Sequence, residues 1–245
     1  MQQYQDFNND FSAPTDLFAA AAAADERAGF ITKTYLYLFG AIAALITIEC
    51  FFFTVLGMDR MIGVTQRMFG GQFSWLIVLG AFMLISWIAN SWAMNATSSA
   101  IQHAGLALYV GAMSILLIPI LCMAQLATGD ASLIVSAATA TGGLFALLTL
   151  TVFIKRKDFS FIRSILFFGG FAAMGFIATA IIFQFSLGPI FCYAMIAFFC
   201  AYILYDTSNV LHHYRIGQHV AAALALFASV VMLFWYILQL FLSRE

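Results

Sequence analysis

The sequence predicts an all-α integral membrane protein, a seven-helix transmembrane bundle, on three observations. Of its 245 residues, 64% are hydrophobic and 9% are charged, against roughly 25% charged in an ordinary soluble domain. The apolar residues fall into seven runs long enough to cross a bilayer core, which takes about 20 residues of helix. Between the runs stand short segments rich in charges and turn formers.

The runs extend roughly over Thr32–Leu56, Phe73–Met94, Ala104–Leu126, Ser132–Ile154, Phe161–Phe183, Gly188–Leu211 and Val220–Leu242. The first is preceded by a polar segment, residues 1–31, carrying Asp6, Asp10 and Asp16 and no basic leader, so it does not read as a cleavable signal. Its beginning is expected to be largely disordered, and the Ala-rich stretch Leu17–Ala24, too short to span, to form a helix at the membrane surface. Residues 32–245 then form the transmembrane domain. The breaks at Gly57–Arg60, Thr128–Asp130, Lys155–Asp158, Ser186–Pro189 and His212–His219 each carry charge, turn chemistry or both, whereas Asn95–His103 is polar but uncharged apart from its histidine.

Within the spans, Pro119 is expected to kink the third, while Pro189 suits the start of the sixth. Small residues mark faces where helices approach closely in lipid. Ala138, Gly142 and Ala146 offer such a face on the fourth span, and Gly169 and Ala173 on the fifth.

With the N-terminus in the cytoplasm, the inner segments hold Arg27, Lys33, Lys155, Arg156, Lys157, Arg163 and Arg215, and the outer ones hold Arg60, Arg67 and Arg244. The excess of basic residues inside predicts this orientation and, with an odd number of spans, an external C-terminus. Short loops favour a bacterial inner membrane. Ten Lys/Arg against eleven Asp/Glu leave no basic patch for nucleic acid. Cys50, Cys122, Cys192 and Cys200 lie in apolar runs without metal-ligand spacing and read as packing residues. No metal or other cofactor is expected.

Two carboxylates lie well inside spans, Glu49 and Asp206. Ionisable groups at such depth are costly, which makes both functional candidates. Helical rise places Glu49 roughly 24 Å from the inner end of its helix and Asp206 about 8 to 10 Å from the inner end of its own, so they occupy opposite leaflets. Tyr202, Asp206, Asn209 and His213 recur at i, i+4, i+7 and i+11 and form one polar stripe, expected to face the bundle interior or a water-filled cavity. Ser229, at similar depth on the last span, leads a facing set with Tyr236 and Gln239. The plainer reading of these groups is hydrogen bonding between helices, and that of Glu49 is a snorkelling or bridging side chain. His212, His213 and His219 read as a solvated, pH-responsive loop rather than metal ligands.

The segment Ala201–His213, with Tyr205-Asp206 at its centre, resembles the signature of the Bax inhibitor family, the transmembrane Bax inhibitor motif proteins, whose bacterial members include YccA-like and YetJ-like proteins. Glu26–Tyr35 and His103–Tyr109 resemble other parts of that family. The resemblance implies seven helices with the last enclosed by the other six. In some members it implies a pH-sensitive calcium leak gated by two aspartates sharing a proton, one on each of the last two helices. The first corresponds to Asp206 and the second falls at Ser229. Two close carboxylates push one another's protonation towards neutral pH, and a serine removes that interaction. A lone aspartate with hydroxyls is also a weak calcium ligand.

Two functions are therefore expected from different classes. One is a pH-tuned cation leak, with calcium as the candidate ion, in which Asp206, Ser229, Tyr202, Asn209 and His213 close or tune a cytoplasm-facing polar cavity. The other, resting on the YccA-like resemblance, is a non-transporting modulator of a membrane-anchored quality-control protease, acting through the acidic N-terminal tail. An intramembrane hydrolase is a minor third reading, because Asp206 lacks histidines at matching depth. No enzymatic activity is expected.

Overall fold

A computed structural model describes residues 18–20, 22–71, 73–95 and 98–244. Eight α-helices account for nearly all of it: α1 (Ala24–Phe51), α2 (Met58–Met68), α3 (Ser74–Ala93), α4 (Ser99–Thr128), α5 (Ser132–Lys155), α6 (Arg163–Phe183), α7 (Gly188–His212) and α8 (His219–Leu242). All but α2 are long and apolar enough to cross a membrane. The seven expected spans are therefore present, each within a few residues of its expected bounds except at the start of the first.

That helix begins at Ala24, eight residues before Thr32. Ala24–Ile31 includes Asp25 and Glu26 in the first helical turn, where carboxylates meet the positive end of the helix dipole. Of the stretch Leu17–Ala24, where a surface helix is expected, the described residues 18–20, 22 and 23 are not helical. Phe18 instead makes an antiparallel bridge to Arg215, the Ala19 N–H donates to the Tyr214 carbonyl at 2.9 Å, and the Arg215 guanidinium lies 5.6 Å from the Phe18 ring centroid. Backbone hydrogen bonds to the loop before α8 satisfy this strand-like piece better than one short helical turn would. Leu17, Ala21 and the tail expected to be disordered lie outside the described residues.

The segment after α1 holds more structure than its turn chemistry predicted. A π-helical turn, Phe52–Leu56, closes α1, and Gly57 at φ 86° reverses the chain into α2. This short helix is amphipathic: Met61 is buried against Ile118 and Cys122 of α4, while Asp59 and Arg67 stand in its first and last turns.

Two helices form the centre. Of the apolar window of α8, 72% is buried, and of α4, 67%, against 11% for α3 and α6. The last helix packs on α1, α3, α4, α5 and α7. It is enclosed by five helices rather than six, because α6 lies outside, against α7 and α3. With Phe168 70% and Phe171 67% exposed, α6 presents rings to the surface that lipid covers. Hydropathy could not foresee this, since a lipid-facing helix is as apolar as a central one.

Close approaches follow small residues in two places. A Cβ on Gly105 would stand 2.6 Å from the Ala89 carbonyl oxygen and 2.8 Å from the Ala93 nitrogen, so α3 and α4 cross there almost backbone to backbone. A Cβ on Gly169 would meet the Phe198 ring at 2.7 Å, as the expected packing face on the fifth span requires. The face expected on the fourth span behaves oppositely. Ala138, Gly142 and Ala146 are exposed, and a Cβ on Gly142 would have nothing within 4 Å. They line a cleft instead of a helix contact. Helix α4 runs unbroken through Pro119.

Candidate functional site

Asp206 lies in the last third of α7, buried on the side that meets α8. Ser229, buried on α8, donates its hydroxyl to Asp206 Oδ2 at 2.5 Å. Phe227, with no exposed surface, and the buried Val230 flank Ser229 on the same helix. Among the described residues Asp206 has no cationic partner, and Ser229 is its hydrogen-bonding side chain. A carboxyl group buried in this way depends on that donor, because water is excluded and an unsatisfied acceptor costs about 1–3 kcal/mol. Its charge acts on Tyr202 and Tyr214, and Tyr205 lies close to both of these tyrosines. Burial, with Asp206 and Tyr205 close by, pushes the Tyr214 phenol above its ordinary range.

The expected stripe on α7 does not act as one surface. The Tyr202 hydroxyl turns sideways to the Leu166 carbonyl of α6 at 3.4 Å, and its ring stacks on Phe199, whose ring in turn stacks on Tyr236 of α8. Tyrosine is long enough for its hydroxyl to leave the line of its Cβ. Asn209 is half-buried, and its backbone carbonyl accepts the N–H groups of His213 and Tyr214 as the helix ends. His213 is the C-cap with φ −117°, so helical periodicity no longer sets its direction. It faces outward to Asp158, with Nε2 at 3.7 Å from Oδ2. On the facing helix, Tyr236 is buried but Gln239 is exposed.

The opposite side of α7 carries a second set that the sequence reading passed over as loop chemistry. Ser208 accepts the Phe159 N–H at 2.9 Å and lies 3.5 Å from Asp158 Oδ1. Together with His213 these contacts fasten the loop between α5 and α6 to the end of α7. Partial burial opposes ionisation of Asp158. The Ser160 N–H and hydroxyl and the two neighbouring histidines outweigh it and hold the carboxyl below its ordinary range. The signal was present in the sequence as Asp158-x-Ser160, a local side-chain-to-backbone turn, but its distant partners were not.

Glu49 is also buried, 9% exposed, and neither carboxylate oxygen has a hydrogen-bond partner among the described residues. It neither pairs with Asp206 nor snorkels to an interface. Near it lies Cys122, whose thiol feels its charge and has Thr65 beside it. Another buried polar set, the hydroxyls of Tyr35, Thr149 and Thr207, sits between α1, α5 and α7 without a well-formed hydrogen bond. Sequence reasoning missed it because hydroxyl residues are unremarkable in spans.

His103, from the polar break before the third span, is exposed and bonds Tyr37 at 2.6 Å and the Ser99 carbonyl at 2.5 Å. That carbonyl fixes the proton on Nδ1, leaving Nε2 to accept the Tyr37 hydroxyl. Among the described residues no group of three His, Cys, Asp or Glu side chains gathers to hold a metal ion, and the four cysteines are free. Asp206 lines neither the cleft beside Tyr37 and His103 nor the cleft beside Glu49.

Fold and site together define a polytopic helical membrane protein with a buried carboxyl group held between its last two helices. The family model described as "Inhibitor of apoptosis-promoting Bax1" matches residues 27–245, and the chain belongs to this Bax inhibitor family. An uncharacterized protein of Pseudomonas aeruginosa is 30% identical over 164 residues, 66% of this chain and 69% of that one. "Bax inhibitor 1" of Schizosaccharomyces pombe is 34% identical over 116 residues, 45% of this chain and 42% of that one. "Protein LIFEGUARD 4" of Arabidopsis thaliana is 31% identical over 105 residues, 40% of this chain and 42% of that one. The matched stretch thus spans less than half the length of these two eukaryotic relatives. No solved structure matches the chain.

Proposed function

We propose that the protein is a pH-tuned cation leak pathway, with calcium as the ion, in which the Asp206–Ser229 contact closes the route along α8. The observation that carries this reading is the 2.5 Å hydrogen bond joining the two helices at a depth where neither group meets water. Gaining or losing a proton changes what Asp206 accepts or donates, and with it how closely α7 can lie on α8. Tyr202, Tyr205 and Tyr214 are the other titratable groups near it, and none is basic. Asn209 and His213 act at the end of the helix, His213 through Asp158. In this reading the protein is not an enzyme. Ser229 spends its hydroxyl on a carboxylate, and His212 donates to the Ser208 carbonyl at 3.0 Å, so these two do not pair as nucleophile and base.

The excess of basic residues in the inner segments supports an orientation with the N-terminus and the Asp206 end of α7 facing the cytoplasm, and the short loops favour a bacterial inner membrane. The test is calcium flux into liposomes at pH 6 and pH 8. The parent is expected to differ between the two, Asp206→Asn to lose the difference, and Ser229→Asp, which restores a carboxylate pair, to steepen it. Equal flux from Asp206→Asn and the parent at both pH values would remove the gating role.

A second reading has its own support. The chain immediately after the acidic tail is bonded to the loop that follows the Asp206 helix, through Ala19 and Tyr214. A membrane-anchored quality-control protease that gripped the tail would pull on the α7–α8 junction. Deleting residues 1–16 then abolishes partner binding and leaves flux intact, whereas a pure leak pathway loses neither.

A further inference from the structure

We infer that the cleft between α1 and α5 is a binding site for a single-chain amphiphile with a cationic amine head, whose ammonium group rests on Glu49. The cleft encloses about 840 Å³, within the range of sites that hold small organic ligands. Helices α1 and α5 form its two sides and meet through the Tyr35 ring, which lies against Phe145 and Phe153, and Val230 and Phe234 of α8 form part of its back. It opens sideways, towards the space that lipid occupies. The small residues of α5 keep it open: where Ala138, Gly142 and Ala146 stand, larger side chains would fill it.

An apolar groove in a membrane takes an ordinary acyl chain, and that alone would define no ligand. Glu49 changes this. It lines the cleft, is only 9% exposed, and has no donor for either carboxylate oxygen among the described residues. A carboxyl group against hydrocarbon is costly, and a hydrocarbon tail supplies nothing to relieve it. An ammonium group supplies both charge and up to three N–H donors. At the other end of the cleft stand the hydroxyls of Tyr35 and Thr149, also without well-formed hydrogen bonds. From residue 35 to residue 49 the helix rises roughly 21 Å, so the cleft is a long slot with a carboxylate at one end and hydroxyls at the other. This is the shape of one alkyl chain with one polar head, and the sign of the head is set by Glu49. A two-chain phospholipid carries its head outside the bilayer core and leaves Glu49 unsatisfied.

The inference does not depend on the leak reading, because Asp206 does not line this cleft. It is tested with purified full-length protein in phosphatidylcholine nanodiscs and a tritiated octadecylamine bearing a mid-chain diazirine. Irradiation is expected to label α1 and α5, unlabelled octadecylamine to compete, and octadecanoic acid and octadecanol to compete at least tenfold less well. Glu49→Gln and Gly142→Leu are each expected to lower labelling at least tenfold, with both variants first shown monodisperse by size-exclusion chromatography. The competition series uses the parent protein alone, so it decides the matter even if a variant does not fold. Equal competition by acid, alcohol and amine would overturn the inference, as would labelling unchanged in a folded Glu49→Gln or confined to helices away from the cleft.

Discussion

Replacing Ser229 by alanine removes one oxygen from a fully packed site and nothing else, which makes it the sharpest probe of the Asp206 contact. The hydroxyl donates to Oδ2 at 2.5 Å, and no second side chain among the described residues stands ready to replace it. A hydrogen bond to an ionised carboxylate contributes about 1.5–3 kcal/mol, and one between neutral groups about 1 kcal/mol. Alanine also leaves a buried acceptor unsatisfied, so Ser229→Ala is expected to destabilise the protein by about 2 kcal/mol. In an Asp206→Asn background the serine still meets an amide oxygen, but a neutral one. The same substitution is then expected to cost about 1 kcal/mol, leaving a coupling energy of roughly 1 kcal/mol in the double-mutant cycle. The assay is reversible unfolding in mixed micelles, with the four proteins compared at one pH. A coupling below about 0.3 kcal/mol, within ordinary additivity, would show that the two side chains do not depend on each other and refute the reasoning.

Gly105→Ala is expected to destabilise by about 1–3 kcal/mol through overpacking, because its Cβ would meet immobile backbone at 2.6 Å and 2.8 Å. Gly142→Ala meets nothing within 4 Å and is expected to gain up to about 1 kcal/mol of helix propensity, and unfolding midpoints of the pair separate the two effects. Asp158 binds its proton less readily folded than unfolded, so its contribution to stability is present above the ordinary carboxylate range near pH 4 and is lost as pH falls through its lowered native value. Thermal unfolding of the parent and of Asp158→Asn should therefore differ by a constant amount at neutral pH and converge on strong acidification, and a gap that widened towards acid would contradict the assigned direction. Ala19→Pro deletes the N–H that bonds Tyr214 and is expected to speed tryptic cleavage at Arg27 severalfold, with unchanged cleavage showing that the bridge holds nothing in place.

The seven spans, and their limits apart from the start of the first, were legible in the chain because they are one-dimensional properties. Hydrocarbon thickness fixes how many apolar residues cross, and a constant helical rise converts position into depth. That Ser229 would meet Asp206 followed from the same depth arithmetic together with the family resemblance. What a helix touches on its way across is a different question. In lipid the packed face and the lipid face are equally apolar, so no contrast in hydropathy marks α8 and α4 as central, puts α6 outside, or says whether the small residues of α5 approach a helix or border a cleft. The same holds for groups whose partners are far off in sequence. Only the tertiary structure joined Asp158 to Ser208 and His213, turned Tyr202 towards Leu166, fastened Ala19 to Tyr214, and left Glu49 without a donor among the described residues.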